Sequence, residues 1–351
     1  MSSTVPPDAP LTEPGPPSRT ASPDAPLTGS GPPSRIALPE REPDGDPAPA
    51  SRRARRFPGP VLGAILRERS AQVGLVLVGV IVLSALLAPL AAALTGHDPN
   101  QQFRSEALSE SGLPVGPNGD FLLGADGNGR DVLIRTLYGA RISLLVGIPA
   151  TTLALVVGTA VGLIAGFFAG RTDRLLSQGI DVALSFPFVV TALSLVALNG
   201  GGDGEPILNP VVLVIIVISL FAWTYFARLT RGLVIVLRNK PFVEAALSVG
   251  ASRRRVIVRE ILPNVLPVVA VYWAVQLPLN ILSEATLSFL GVGVQAPTAS
   301  WGNMIAEAQR SSLYQVQPWF LLGPGIAMFI TVLGFNAIST GIRNVLDPDH
   351  G

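Results

Sequence analysis

Very few side chains in this 351-residue sequence are suited to metal binding or covalent catalysis. It has no cysteine, so disulfides, thiolate metal sites and thiol catalysis are excluded, and its two histidines lie far apart, at His97 and His350. The one lysine, Lys240, precedes Pro241, so the Gly-x-x-x-x-Gly-Lys-Ser/Thr phosphate-binding loop is absent. We therefore expect no cofactor or metal in this chain. If ATP and magnesium drive its function, a separate chain must bind them.

The most informative polar segment spans residues 228–264 and reads RLTRGLVIVLRNKPFVEAALSVGASRRRVIVREILPN. Asn239 and Pro241 are typical of a helix start and Gly250 of a helix end, so we predict a short helix over 242–249. A second, arginine-rich helix is expected to stop at Leu262-Pro263. A short capped helix between two membrane spans suits docking against a partner protein. The alternative is a basic helix lying on anionic lipid.

Hydrophobic runs indicate the elements that position this segment. The chain is 48% hydrophobic and only 14% charged, whereas soluble proteins carry about 25% charged residues. A membrane-spanning helix needs about 20 mostly apolar residues. We therefore predict an all-α membrane protein with six transmembrane helices. A glycine stripe in the second, Gly158, Gly162 and Gly166, is interpreted as internal helix packing. The six predicted spans are Ser70–Gly96, Ile142–Gly170, Val182–Gly202, Pro206–Ala227, Ile261–Ser283 and Ser311–Ile342.

Positive charge predicts the orientation. With the N-terminus in the cytoplasm, 20 of the 25 basic residues fall on the cytoplasmic side, so both termini are expected there. Residues 1–69 are proline- and arginine-rich and contain a near-repeat, PDAPLTEPGPPSR at 7–19 and PDAPLTGSGPPSR at 23–35. We interpret 1–69 as a disordered cytoplasmic tail. Residues 70–96 form the first span, 97–141 an extracytoplasmic loop with a helix starting near Arg130, and 142–348 the five-helix core.

Several stretches together resemble one known family. Glu244, Ala245 and Ala246 followed by Gly250 resemble the EAA loop of binding-protein-dependent ABC importer permeases. The stretches LGADGNGRDVLIRTLYGARISLLVG, DVALSFPFVV, SEATLSFLGVGVQAPTASWGNMI and IRNVLDP resemble one branch of it. That branch is the C-type subunit of dipeptide, oligopeptide and nickel importers. The resemblance covers residues 60–348 and implies the type I ABC importer permease fold, in a bacterial cell membrane.

The resemblance also implies a mechanism and partners. Glu244 would contact a cytoplasmic ATPase, Ala245 and Ala246 would permit close packing, and Gly250 would allow a sharp exit. The implied partners are a homologous second permease in a heterodimer, two ABC ATPase domains that bind ATP and magnesium, and an extracytoplasmic substrate-binding protein. The surroundings are the lipid membrane, and no nucleic acid partner is expected. Di- and oligopeptides are the expected cargo, with nickel or another small solute as the alternative.

Residues beyond this loop have alternative interpretations. Asp181 is either the proton relay of a proton-coupled secondary transporter or one half of an interfacial ion pair. Glu284 is interpreted as a gate or pathway residue in contact with the partner permease, or as solvated at the end of the fifth helix. Trp301, within SWGNMI, is interpreted as part of an extracytoplasmic gate. A third reading of the whole chain is a membrane scaffold that recruits partners through its proline-rich tail.

Overall fold

The protein is built from α-helices around a bundle of long apolar ones. The computed structural model describes residues 59–200, 207–315 and 317–346, and no named strand occurs among them. A 3-10 turn, Leu313–Gln315, and a π-helical segment, Ile257–Ile261, complete the helical elements. The α-helices are α1 (Gly59–Arg67), α2 (Arg69–Thr95), α3 (Arg104–Ala107), α4 (Val132–Phe168), α5 (Gly170–Ser185), α6 (Phe188–Asn199), α7 (Pro210–Leu237), α8 (Pro241–Ser248), α9 (Arg253–Val256), α10 (Leu262–Phe289), α11 (Trp301–Arg310) and α12 (Trp319–Leu346).

Five stretches of helix are long and apolar enough to cross a membrane: α2, α4, α7, the stretch Arg253–Phe289 that includes α10, and α12. The predicted third span, Val182–Gly202, is not one straight helix. The chain bends by 79° between α5 and α6, and the count reaches six only if this bent pair is one span. Pro187 explains the break, because proline lacks an N–H and disfavours a helical conformation in the residue before it. At 12 residues, α6 is about 18 Å long, too short to cross alone.

Several helix boundaries differ from the predicted ones. α7 continues to Leu237, past the predicted end at Ala227, because Arg228 and Arg231 find acidic partners on α5. α10 continues past Ser283 to Phe289, and α12 begins at Trp319 instead of Ser311, after the 3-10 turn Leu313–Gln315.

The predicted disordered tail, 1–69, ends in helix α1, where the apolar run up to Leu66 favours helix; its residues 1–58 lie outside the described part of the chain. The second span is longer than its apolar window, because α4 begins at Val132, where the Asp131 carboxylate accepts a hydrogen bond from Ile134 N. The stop predicted at Leu262-Pro263 is wrong. The helix continues through the π-helical segment, in which Leu262 N donates to Ile257 O.

The closest packing in the bundle joins α4 to α7 along the predicted glycine stripe. A Cβ atom at Gly162 would lie 2.6 Å from Ala227 O, and one at Gly166 would lie 2.7 Å from Val234 Cβ. A Cβ at Gly158 would collide with Trp223 O. Such distances are shorter than real Cβ contacts, so only glycine permits this approach. The interpretation of the stripe as internal packing is therefore confirmed.

Candidate functional site

The segment that resembles the EAA loop forms helix α8, held between α7 and α9. The backbone of Lys240 is extended and Pro241 occupies the first turn, as predicted. Asn239 does not cap the helix, because Lys240 holds the N-cap position and Asn239 Nδ2 donates back to Ile235 O. At the other end, Gly250 has a φ of 84°, a left-handed conformation that glycine adopts without strain. Gly250 N donates to Leu247 O and Ala251 N donates to Ala246 O, which closes the helix. Nothing lies within 4 Å of where a Gly250 Cβ would be, so the turn, and not crowding, requires glycine here.

Burial divides α8 into an anchored side and a free side. Val243 is fully buried and Ala246 half-buried, both against a cluster that includes Val256 and Ile261. Phe242 and Val249 are both exposed. The free side is largely apolar, and the Val249 side chain is 84% exposed. Exposed apolar side chains gathered on a short helix are typical of a protein contact site. The exposed residues of α8 and its exit are Pro241, Phe242, Glu244, Ala245, Leu247, Ser248, Val249 and Gly250.

A cluster of positive charge adjoins the free side of α8. Four arginines on α9 and the following turn are exposed, and none has a carboxylate within 4.0 Å in the described part of the chain. Ser252 starts α9 by accepting a hydrogen bond from Arg255 N at 3.4 Å. An acidic partner surface or anionic headgroups would complement this charge. The four residues are Arg253, Arg254, Arg255 and Arg259.

Arginines on α7 and directly after it bind the neighbouring helices α4 and α5. Arg238, directly after α7, donates from Nη1 to Gly166 O at 2.8 Å. Arg231 forms a bidentate pair with Asp173 on α5, with Nε–Oδ1 at 2.5 Å and Nη2–Oδ2 at 2.8 Å. Arg228 lies 2.6 Å from Asp181, whose side chain is 66% exposed. The interpretation of Asp181 as half of an ion pair is therefore confirmed.

A cavity of about 730 Å³ lies among the α5–α6 bend, α7 and α10. No charged side chain occurs among the described residues that line it. Two of its lining residues, Gln276 and Asn280, belong to a buried amide network that crosses from α10 to α4. Gln276 Nε2 donates to Asn280 Oδ1 at 3.2 Å, and Asn280 Nδ2 donates to Thr151 Oγ1 at 2.8 Å. The cavity is lined by Leu184, Phe186, Pro187, Phe188, Ile218, Phe221, Ala222, Tyr225, Tyr272, Gln276, Leu279, Asn280, Leu282, Ser283 and Thr286.

Glu284 and Trp301 both lie inside the bundle. The Glu284 carboxylate is fully buried and accepts hydrogen bonds from Ser288 Oγ at 2.7 Å and Ser143 Oγ at 3.2 Å. The expectation of a solvated Glu284 is wrong, because α10 extends past it and α4 covers it. Trp301 is also fully buried, and its Nε1 donates to Thr136 O at 3.0 Å. Its indole packs where Gly139 leaves room on α4.

The largest feature that the sequence interpretation missed is a buried ionic cluster next to α4 and α11. Arg130 binds Asp126, Nε–Oδ2 at 2.6 Å, and Glu307, Nη2–Oε2 at 2.7 Å. Arg135, fully buried, donates to Pro99 O at 3.0 Å and lies 3.4 Å from Asp126 Oδ2 without hydrogen-bond geometry. His97 Nδ1 lies 2.7 Å from Asp131, the residue that caps α4. The GRDV stretch was the available signal, since it places these charges at a helix start.

Comparison with known proteins shows which family the chain matches. The family model described as binding-protein-dependent transport system inner membrane component matches residues 158–350. The chain is 37% identical over 282 residues to the oligopeptide transport system permease protein OppC of Haemophilus influenzae, covering 80% of this chain and 85% of that protein. It is 36% identical to the dipeptide transport system permease protein DppC of Alkalihalophilus pseudofirmus, covering 80% and 86%. A glutathione transport system permease protein, GsiD of Pectobacterium atrosepticum, is 35% identical, covering 76% and 84%. A solved structure of the MetNI methionine ABC transporter aligns with a TM-score of 0.48 at 17% identity, covering 61% of this chain and 96% of that one.

Proposed function

Because the chain belongs to the family of binding-protein-dependent transport system inner membrane components, we propose that it is the membrane-spanning subunit of an ATP-driven importer of di- and oligopeptides. The observation that supports peptides as the cargo is the similarity to permeases named for oligopeptides, dipeptides and glutathione, at 35–37% identity over most of both chains. An extracytoplasmic binding protein delivers the peptide. The permease lies in the cell membrane with both termini in the cytoplasm.

The free side of α8 docks against a cytoplasmic ATPase subunit. Glu244 supplies a polar contact in an apolar patch, and exposed Ala245 lets the partner backbone approach closely. Ala246 faces the chain's own bundle, so it transmits movement instead of touching the ATPase. Gly250 permits the sharp turn back towards the membrane. ATP and magnesium are bound by the ATPase and not by this chain.

The cavity beside the α5–α6 bend is this subunit's part of the translocation pathway. A homologous second permease supplies the opposite wall and completes a heterodimer. An uncharged lining with amide and hydroxyl groups suits peptides, whose backbones need hydrogen-bond partners and whose net charges vary. Burial of Trp301 and Glu284 favours a supporting role for both side chains, fixing α10 and α11 against α4 behind the extracytoplasmic gate.

Co-purification tests the coupling assignment. The full chain, produced with its ATPase and second permease, is purified in mild detergent as wild type, Glu244→Arg and Glu110→Arg. Glu110 is an exposed acid in the 97–131 loop, so its reversal is a matched control. We expect Glu244→Arg to lose the ATPase while retaining the second permease, and Glu110→Arg to retain both. Retention of the ATPase by Glu244→Arg would contradict the assignment of α8.

Uptake into proteoliposomes distinguishes the candidate functions. Peptide import requires ATP and the binding protein, and is insensitive to collapse of a proton gradient. ATP-dependent uptake of nickel in the absence of peptide would show that the cargo is nickel and would leave the ATP-driven mechanism unchanged. Proton-driven uptake abolished by Asp181→Asn would indicate a secondary transporter, although the exposed ion pair with Arg228 does not favour it. Loss of function on deleting residues 1–50 would indicate the scaffold.

A further inference from the structure

An apolar groove runs along the surface between α2 and α4. It has a volume of about 310 Å³ and one charged residue, Arg141, in its described lining. The large apolar side chains at its rim are exposed, including Leu86, which is 70% exposed, and Leu145. Both helices are among those apolar enough to cross a membrane, and the groove lies on their exposed surface. The lining is Val82, Ala85, Leu86, Arg141, Leu144, Leu145, Ile148 and Pro149.

Arg141 carries a charge that nothing in the described part of the chain neutralises. No carboxylate lies within 4.0 Å of its guanidinium, and it makes no side-chain hydrogen bond among those residues. Its Cζ lies 5.5 Å from the ring centroid of Tyr138, one turn nearer the start of α4. This cation–π contact directs the guanidinium towards the 97–131 loop and away from the groove floor.

Two helices independently give the depth of this charge. On α4, Arg141 directly precedes the uncharged stretch that begins at Ile142. On α2, Leu86 lies nine residues before the end of the helix at Thr95, about 14 Å along its axis. The hydrocarbon core is about 30 Å thick, so the groove lies in the half of the bilayer nearer the 97–131 loop. A long arginine side chain at that depth reaches the headgroup region on the same side.

We propose that this groove binds an anionic phospholipid, with one acyl chain between α2 and α4 and the phosphate held by Arg141. The apolar lining accommodates a hydrocarbon chain and excludes a polar ligand. The guanidinium is a bidentate donor whose geometry matches phosphate oxygens. Charge complementarity thus selects an anionic lipid over a zwitterionic one. The lipid wedges the first span against the core.

Native mass spectrometry tests the proposal on the full chain in the assembly in which it purifies. The protein is equilibrated in nanodiscs of equal phosphatidylglycerol and phosphatidylcholine, released, and its retained lipids counted. Wild type is expected to retain phosphatidylglycerol preferentially. Arg141→Gln should lower that preference about fivefold, the contribution of one basic residue near an anionic surface. Arg104→Gln removes an exposed charge from the 97–131 loop and should leave the preference unchanged.

A second variant tests the groove itself. Val82→Trp fills the rim without touching Arg141, and should reduce retention of both lipids while the protein stays monodisperse. An unchanged lipid ratio in Arg141→Gln, or an equal loss in Arg104→Gln, would overturn the proposal. So would a photo-crosslinker at Leu86 that captures a protein segment instead of lipid, because the groove would then be a subunit interface. None of these outcomes depends on peptide uptake.

Discussion

At the scale of single residues, Gly250 combines the clearest sequence signal with the clearest structural reason. Its left-handed φ of 84° with no neighbour near the Cβ position means that a substitution acts only through backbone strain. Alanine should destabilise this turn by about 1–2 kcal/mol, whereas asparagine tolerates the conformation better. We predict that Gly250→Ala loses more bound ATPase than Gly250→Asn in co-purification. Equal loss would show that the turn geometry is not what matters.

Arg130 shows what a local pattern does not reveal. Its partner Glu307 lies 177 positions away, so no spacing rule could pair them, and Asp126 is buried with it. Removing one member of a buried ion pair typically costs about 3–5 kcal/mol, because its partner stays desolvated. Arg130→Met should therefore lower the thermal unfolding temperature in detergent strongly. Arg310 is an exposed arginine at the end of α11, so Arg310→Met should leave the unfolding temperature nearly unchanged. A similar drop in both variants would disprove a special role for the cluster.

At the scale of elements, the contact between α4 and α7 predicts opposite effects on stability for two glycine-to-alanine substitutions. Gly162→Ala places a methyl group 2.6 Å from a backbone oxygen of α7, and such overpacking typically costs about 1–3 kcal/mol. Gly232→Ala lies on α7 with open space at its Cβ, where alanine favours helix by up to about 1 kcal/mol. Thermal unfolding should show Gly162→Ala below wild type and Gly232→Ala at or above it. Stabilisation by Gly162→Ala would contradict the close packing.

The sequence predicts the existence of the long helices better than their ends. Apolar windows located α2, α4, α7, α10 and α12, because lipid contact demands continuous hydrophobicity. They missed the first ten residues of α4, because Arg135 there is buried among polar groups instead of lipid. Around Pro187 the apolar composition predicted one continuous span, but the helix breaks there and the chain bends by 79°. Caps and turn residues placed α8 because those signals are local.

At the scale of the whole molecule, α7 connects the proposed ATPase contact with the proposed pathway. One end carries Arg231 and Arg238, which bind α5 and the end of α4, and leads directly into α8. Farther along, Phe221 and Tyr225 of the same helix line the cavity. The Asp173–Arg231 pair joins α5 to α7. α5 ends at the bend that forms one side of the cavity. On the proposed function, displacement of α8 would reach the pathway through α7 and through α5.

The uncharged cavity also predicts how the importer treats charged cargo. A carboxylate at Ser283 would face the pathway, and two unit charges about 8 Å apart at an effective dielectric of 20 interact by about 2 kcal/mol. That energy corresponds to about thirtyfold in rate or binding. We predict that Ser283→Asp lowers ATP-driven uptake of acidic peptides relative to basic ones by up to this factor, measured as an uptake ratio in proteoliposomes. Ser283→Asn controls for size, and Ser111→Asp, in the exposed 97–131 loop, controls for charge. If both leave the ratio unchanged and Ser283→Asp shifts it, peptides pass this wall. A ratio unaffected by Ser283→Asp would place the pathway elsewhere.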